Sequence, residues 1–206
     1  MGQSNKAQEV YEVLLHQTTN ESGKASIYNQ LGRIKYNQRE YQEALTYFEK
    51  SFAIDQKTLP FNHTNFATCY NNIGLVYKGM GDYPKVLSFH EKALVIQQES
   101  LPSNHPSLGA SYYNIGMVYC KVDDYSKALS YFEKDLAILQ QSLPPNHPNF
   151  GGSYVNIGVV YENMGNYSKA HSFCERAVQI TQQSLPTNHP DLRKWRKNLE
   201  RIKEKL

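Results

Sequence analysis

The chain has 206 residues, a net charge of +3 and 20% charged residues. This mild balance argues against a strongly basic polyanion binder and against an acidic disordered tail. No apolar run reaches the roughly 20 residues of a membrane span, and MGQSNKAQEV lacks the apolar segment of a signal peptide. Three cysteines without a Cys-x-x-Cys pair favour free thiols in a reducing compartment over a zinc or redox site. We therefore expect a cytoplasmic protein.

The first segment, residues 1–21, is predicted to form an N-terminal capping helix. Val10, Val13 and Leu14 lie in it at helical spacing. We expect this apolar stripe to cover the helices that follow.

A 42-residue repeat then organises the chain. A glycine, a tyrosine, an isoleucine and a histidine each recur four times at this step: Gly32, Gly74, Gly116, Gly158; Tyr41, Tyr83, Tyr125, Tyr167; Ile54, Ile96, Ile138, Ile180; and His63, His105, His147, His189. A period in this range is typical of stacked helical units. We place four repeats at residues 22–63, 64–105, 106–147 and 148–189.

Each repeat contains two amphipathic helices, which are clearest in the third copy. Tyr112, Ile115 and Tyr119 form one stripe at helical spacing, and a second stripe begins at Tyr125. A glycine inside a helix costs roughly 1 kcal/mol relative to alanine. Its recurrence in the first helix indicates that the second helix crosses there, where a side chain would not fit.

The repeats are joined by segments such as LPSNHP at residues 101–106. Pro102 disfavours helical geometry in Leu101, and Pro106 suits the first turn of the next helix. Asn104 or His105 can cap that helix. Each repeat supplies one histidine to a different turn, without a second ligand nearby, so we interpret the segment as a joint and not as a metal or catalytic site.

Residues 190–206 begin like the first helix of a fifth repeat and then become basic around Trp195 and Leu199. A terminal repeat needs one polar face, which predicts a C-terminal capping helix. A nucleic-acid or membrane segment is the alternative. A nucleic-acid module would carry basic residues on every unit, so we expect neither a nucleic acid nor a membrane as partner.

These residues resemble the tetratricopeptide repeat (TPR), whose motif is Y-x-x-[LI]-G-x-x-Y followed by A-x-x-x-F. The usual unit of the tetratricopeptide repeat has 34 residues. The 42-residue step and the L-P-x-N-H-P joint of this chain are similar to the longer, kinesin-light-chain type of that repeat. The resemblance covers residues 22–206. It implies an all-α fold, a right-handed TPR superhelix (α-α solenoid) of four helical hairpins plus capping helices. Copy one departs from the motif at Lys35, where the other copies have tyrosine.

Candidate binding residues lie on the first helix of each repeat. The position two before the glycine is displaced by about 200° from the tyrosine four before it, and so points away from the hairpin core. Its occupants are Gln30, Asn72, Asn114 and Asn156. An amide side chain donates and accepts at once, as a peptide backbone does.

The resemblance implies that this side of the helices lines a concave groove in which asparagines hold ligand backbones. The alternative is that the amides bond to a neighbouring helix and keep the stack in register. Arg33, Lys78 and Lys121 would attract acidic residues, and Met117 marks an apolar part of the groove. Kinesin light chains are similar in taking acidic peptides with a tryptophan.

The sequence has no phosphate-binding glycine loop, no His-Glu-x-x-His and no nucleophile elbow. We therefore expect no enzymatic activity, no cofactor and no metal. We predict a monomeric scaffold or adaptor that holds a short, extended, partly acidic peptide in the concave groove. The alternatives are a targeting or regulatory arm of a larger, possibly enzymatic protein, and self-association through an incompletely capped end.

Overall fold

The computed structural model describes residues 2–60 and 63–206. All regular secondary structure in this part of the chain is α-helical, which confirms the all-α prediction. Ten helices are described: α1 Gly2–Gln17, α2 Glu21–Asn37, α3 Tyr41–Thr58, α4 Thr64–Met80, α5 Tyr83–Ser100, α6 Pro106–Lys121, α7 Tyr125–Ser142, α8 Asn149–Asn163, α9 Tyr167–Ser184 and α10 Pro190–Lys203. None of these helices is long and apolar enough to cross a bilayer.

The chain divides into two compact units, Met1–Leu101 and Pro102–Leu206. In unit 1, α2 pairs with α3 and α4 with α5, while α3 packs on α4 and α1 packs on α2. In unit 2, α6 pairs with α7 and α8 with α9, while α7 packs on α8 and α10 packs on α9. Each unit therefore contains two helical hairpins and one additional helix.

The glycine of each first helix marks the point where its hairpin partner crosses. A Cβ on Gly32 would lie 2.7 Å from the ring of Phe48, and a Cβ on Gly158 would lie 2.5 Å from Sγ of Cys174. The residues that occupy this crossing position are Phe48, His90, Phe132 and Cys174. The predicted close approach of the two helices is confirmed.

The histidine of each joint caps the helix that follows it. Its Nδ1 accepts the backbone N–H two residues later, at 3.2 Å for His63, His105 and His147 and at 3.3 Å for His189. The side chain of Asn104 does not serve as this cap, although its backbone carbonyl accepts a hydrogen bond from Ser142 Oγ at 3.0 Å. The interpretation of the segment as a joint is supported, with histidine as the capping residue.

The cysteines are free thiols in the interior of the protein. Cys69 and Cys174 are buried, and Cys120 is half-buried. Burial raises the pKa of each thiol to about 11. Since the thiolate is the reactive form, these cysteines are unreactive near neutral pH.

Helix α1 packs on α2, but not through the residues that the sequence suggested. Val10, Val13 and Leu14 are 57%, 55% and 41% exposed, so the prediction that this stripe covers the first hairpin is wrong. Tyr11 and Leu15, on the other side of the helix, are half-buried instead. That side also contains Gln8, whose Oε1 accepts a hydrogen bond from Gln38 Nε2 at 3.4 Å. The less exposed side of α1 is therefore the one that contains Gln8, Tyr11 and Leu15.

Helix α10 covers α9 through Leu192 and Ile202, which are fully buried. Its basic residues are exposed apart from the half-buried Arg196. Arg201, together with Lys205 just beyond the end of the helix, pairs with the buried Glu162 of α8. Trp195 is half-buried and lies directly against Gly151.

The residue that follows the first helix of each repeat adopts a left-handed conformation at one equivalent position. The four residues are Arg39, Gly81, Asp123 and Gly165, with φ of 65°, 81°, 58° and 76°. Glycine adopts this conformation without penalty, whereas other residues are strained by roughly 1–2 kcal/mol. Two of the four repeats therefore carry strain that the other two avoid.

Replacing Arg39 by glycine is expected to stabilise the protein. The backbone strain disappears, but the unfolded chain gains freedom, so we expect a net increase of about 0.5–1 kcal/mol in the free energy of unfolding. Urea denaturation measures the change. Arg39→Ala is the matched control, since it removes the same side chain and keeps the strain. Equal stability of the two variants would contradict the prediction.

His90 is a buried polar residue at the crossing position of the second repeat. It is 3% exposed, and its Nδ1 lies 2.9 Å from Oδ1 of Asn71. Burial, with a smaller contribution from Lys78, lowers the pKa of His90 from 6.5 to about 4. The folded protein therefore holds this ring neutral where the unfolded chain would protonate it.

His90→Phe is expected to make folding less sensitive to acid. The folded-state pKa is depressed, so the stability that depends on neutral His90 is complete above pH 6.5 and is lost as the pH falls toward 4. Between pH 7 and pH 5 this amounts to about 2 kcal/mol. Urea denaturation of both proteins at the two pH values should show a smaller loss for the variant, whose phenylalanine matches Phe48 and Phe132. Equal losses would exclude this role for His90.

Candidate peptide-binding surface

The unit 1 part of the candidate site lies on α2 and α4. Gln30 and Asn72 are half-buried, whereas Arg33 and Lys78 are exposed. Arg33 Nη1 donates to Gln30 Oε1 at 3.4 Å. Asn72 Nδ2 donates to Oδ1 of Asn29 at 3.3 Å, which links the first helices of two successive repeats. At Asn72 the amide therefore makes the bond expected of a register contact.

The unit 2 part lies on α6 and α8. Asn114 and Lys121 are exposed, and Met117 and Asn156 are half-buried. Nδ2 of Asn156 is itself buried, and the described residues provide it with no hydrogen-bond acceptor. An unpaired buried donor of this kind costs about 1–3 kcal/mol. The amide of Asn156 is therefore not used as that of Asn72 is.

Each unit also contains a pocket at the same place in the repeat. The polar pocket of unit 1 lies between α2, α3 and α4, has a volume of about 230 Å³ and includes Ser26, Asn29, Ser51, Asp55 and Asn65 in its lining. The apolar pocket of unit 2 lies between α6, α7, α8 and α10, has a volume of about 520 Å³ and includes Ala110, Tyr113, Asp135, Leu139 and Asn149. These two sets correspond residue by residue, two repeat steps apart.

The apolar pocket is larger and has mainly aliphatic and aromatic walls. They are formed by Tyr113, Ile138, Leu139, Leu143, Leu185 and Trp195. The ring of Trp195 occupies its place because residue 151 is glycine, since a Cβ there would overlap the indole. This wall therefore depends on a contact between α8 and α10.

One buried acidic residue interrupts these apolar walls. Asp135 is 4% exposed, and Ser153 Oγ donates to its Oδ2 at 2.6 Å. Burial raises the pKa of Asp135 from 3.8 to about 6, and the hydrogen bond from Ser153 opposes this shift. Near neutral pH the group is therefore mostly a buried carboxylate.

The apolar pocket opens close to the two amides of unit 2. Its wall residues Ala110 and Gly152 each lie four residues before an amide, Asn114 and Asn156 respectively. Four residues are one helical turn, about 6 Å along the axis. A chain held by either amide could therefore place a side chain in the pocket.

The sequence pattern predicts the amides but neither pocket. Asp135 nevertheless has a signal in the sequence, because the equivalent positions are Ser51, Ala93 and Ala177. A carboxyl at a position otherwise held by small residues is a departure from the repeat. The Asn29–Asn72 bond and the Trp195 wall had no such signal, since both depend on how separate helices pack.

A fold of paired helices repeated at a fixed step, with amides in register on the first helices, defines a helical-repeat interaction module. A family model described as Tetratricopeptide repeat matches residues 23–99 and 65–141, and a second model of that description matches residues 151–191. These matches cover more than half of the chain, which belongs to the tetratricopeptide repeat family. Members of this family are generally non-enzymatic protein-interaction modules. No curated protein sequence matches the chain.

Solved structures show the same fold. The chain is similar to the nearly identical TPR-like repeats of a putative kinesin light chain from Podosopora anserina, with 24% identity, a TM-score of 0.76 and coverage of 91% of this chain and 89% of that one. BtubC (BKLC) from P. vanneervenii has 18% identity and a TM-score of 0.82, with 99% and 82% covered. The apo form of RapI has 20% identity and a TM-score of 0.83, with 98% and 54% covered. The repeats are thus of the kinesin-light-chain-like type in fold.

Proposed function

We propose that this protein is a cytoplasmic scaffold or adaptor whose first helices bind a short, extended, partly acidic segment of a partner protein. The observation that carries the proposal is the amide of Asn156, whose buried donor lacks an acceptor among the described residues while the same position bears an amide in every repeat. A peptide carbonyl can accept from such a donor once the side chain rotates toward it. Binding would then remove the cost of the unpaired group.

The spacing of the amides suits an extended ligand. Packed helices are about 10 Å apart, and an extended peptide advances about 3.3 Å per residue. Neighbouring amides in one unit would therefore contact backbone groups about three residues apart. An amide side chain bonds to the backbone of a peptide and not to its side chains. The amides would therefore contribute affinity for any extended peptide, without selectivity for its sequence.

Charged and apolar side chains near the amides would determine which peptide sequences are preferred. In unit 1, Arg33 and Lys78 are exposed beside the amide positions. In unit 2, Lys121 is exposed, and Met117 is half-buried one helical turn after Tyr113 of the pocket wall. Exposed cations attract acidic residues over several ångströms, and an apolar pocket holds a large anchor. The segment we expect combines acidic residues with one bulky anchor.

A second candidate function is that of a targeting or regulatory arm in a larger protein. The chain spans 54% of RapI, so in that protein the similar region is part of a longer chain. The gene sequence on either side of the coding region for residues 1–206 distinguishes the two cases, because a continuous reading frame would favour the arm.

Removing the amides is expected to abolish selection of peptides. Each lost hydrogen bond costs about 1 kcal/mol, so Asn72→Ala, Asn114→Ala and Asn156→Ala together should weaken binding on the order of 100-fold. The measurement is peptide-display selection on wild type and triple variant, after circular dichroism has shown equal helicity and melting. The matched control replaces the exposed joint asparagines Asn104, Asn146 and Asn188 by alanine. If wild type and triple variant select the same peptides, the amides are register contacts.

Reversing the three exposed charges is expected to weaken binding and flatten its salt dependence. Arg33→Glu, Lys78→Glu and Lys121→Glu convert attraction of acidic residues into repulsion, and both effects are screened by salt. Affinity of a selected peptide measured from 50 to 500 mM salt tests this. The control carries the same change in net charge at exposed positions of other helices: Lys57→Glu, Lys194→Glu and Lys203→Glu. Equal loss in both variants would remove the three residues from the site.

A further inference from the structure

Asp135 is not needed by the repeat in which it lies. The equivalent positions hold serine or alanine, so a small side chain satisfies the packing of α7 against α8. Gly109 leaves space for the carboxyl, since a Cβ there would lie 3.1 Å from Oδ1 of Asp135. The third repeat thus has a buried carboxyl group at a position where the other three repeats have an uncharged, small side chain. Buried charges outside a structural role are common at functional sites.

The bonding of this carboxyl is incomplete. Among the contacts of the described residues, Ser153 is its one hydrogen-bond donor, and that bond goes to Oδ2. A buried carboxylate is ordinarily paired with a cation or with several donors. The titratable groups that line the same pocket are Tyr113 of α6 and Asp191 of α10, and no lysine, arginine or histidine is part of the lining. Asp191 lies 3.8 Å from Nδ1 of His189, whereas Asp135 has no ion-pair partner among the described residues.

The side chains that line the apolar pocket indicate what kind of group could pair with Asp135. At about 520 Å³ the pocket has room for an entire side chain, and its aliphatic residues can cover a hydrocarbon stem. Tyr113 and Trp195 provide aromatic rings, on which a guanidinium or ammonium group packs favourably. A side chain with an apolar stem and a cationic end matches both the walls and the carboxyl.

We propose that the apolar pocket binds an arginine or lysine side chain of the partner segment, with Asp135 as its counter-charge. This inference rests on the proposed peptide-binding function and names the anchor of that peptide. The backbone beside the anchor would contact Asn114 or Asn156, one helical turn from the pocket. The part of the partner segment that binds unit 2 is then acidic opposite Lys121 and basic at this one position.

The protonation of Asp135 gives the interaction a pH dependence. The ionised form binds the cation, and burial sets the pKa of the free pocket at about 6. The ionised fraction rises about tenfold between pH 5 and pH 7.5, so affinity for the basic anchor should rise about tenfold over the same range. Binding lowers the pKa of Asp135, because a nearby cation favours the charged carboxylate.

The experiment uses four synthetic bead libraries of decapeptides that differ only in one fixed central residue: arginine, lysine, citrulline or norleucine. Citrulline keeps the shape of arginine without its charge, and norleucine keeps an apolar chain of similar length to the lysine stem. Wild type is expected to bind the arginine or lysine library at least tenfold better than the neutral ones at pH 7.5. Asp135→Ala is expected to lose this preference and to bind the norleucine library at least as well as wild type does.

We expect the Asp135→Ala variant to fold, since alanine occupies the equivalent positions 93 and 177. A loss of binding preference would then not result from misfolding. Removing the buried charge should leave the melting temperature at pH 7.5 equal or higher, and Asp135→Ser, the residue at position 51, is a second variant. Asp55→Asn, in the polar pocket of unit 1, is the matched control and should keep the preference.

The outcomes separate the two proposals. If wild type binds none of the four libraries above the background of bare beads, the peptide-binding function fails. If wild type binds but prefers norleucine or citrulline, or if Asp135→Ala keeps the charge preference, the basic anchor is excluded and the pocket takes an apolar one. A preference for arginine or lysine that is independent of pH would also exclude Asp135 as the counter-charge.

Discussion

The close approach of the two helices in each hairpin is the constraint on which the structure depends. Without a side chain on the first helix at the crossing, the residue opposite packs directly on the backbone, as Phe48 does on Gly32. This contact sets how closely the two helices approach, and the amide position lies on the first helix two residues before the glycine. The candidate site is thus positioned by a residue that takes no part in it.

Much of the fold could be predicted because it depends on residues shared by all copies. The crossing glycine and the joint histidine recur at a fixed step, and local rules about helix interiors and helix caps explain them. The stripe of Val10, Val13 and Leu14 is exposed, so apolar spacing predicts the helix but not the side by which it packs. That side contains Gln8, which is bonded to a residue 30 positions away in the chain.

The candidate site, too, could be predicted from the sequence only in part. The register of the amides follows from the period, but the period cannot say that Asn72 bonds to Asn29 while Asn156 has a donor without an acceptor among the described residues. Asp135 does not follow from the period at all, because it is the residue by which one repeat differs from the other three.

The correspondence of the polar and apolar pockets has a consequence for how such proteins diversify. Both pockets are built on the same backbone frame, yet one is lined by Asn29 and Ser51 and the other by Tyr113 and Asp135. Because the crossing and capping residues lie elsewhere, substitutions in the pocket leave the frame undisturbed. A duplicated repeat can therefore acquire a cavity with a different lining while the helical frame that the copies share stays the same.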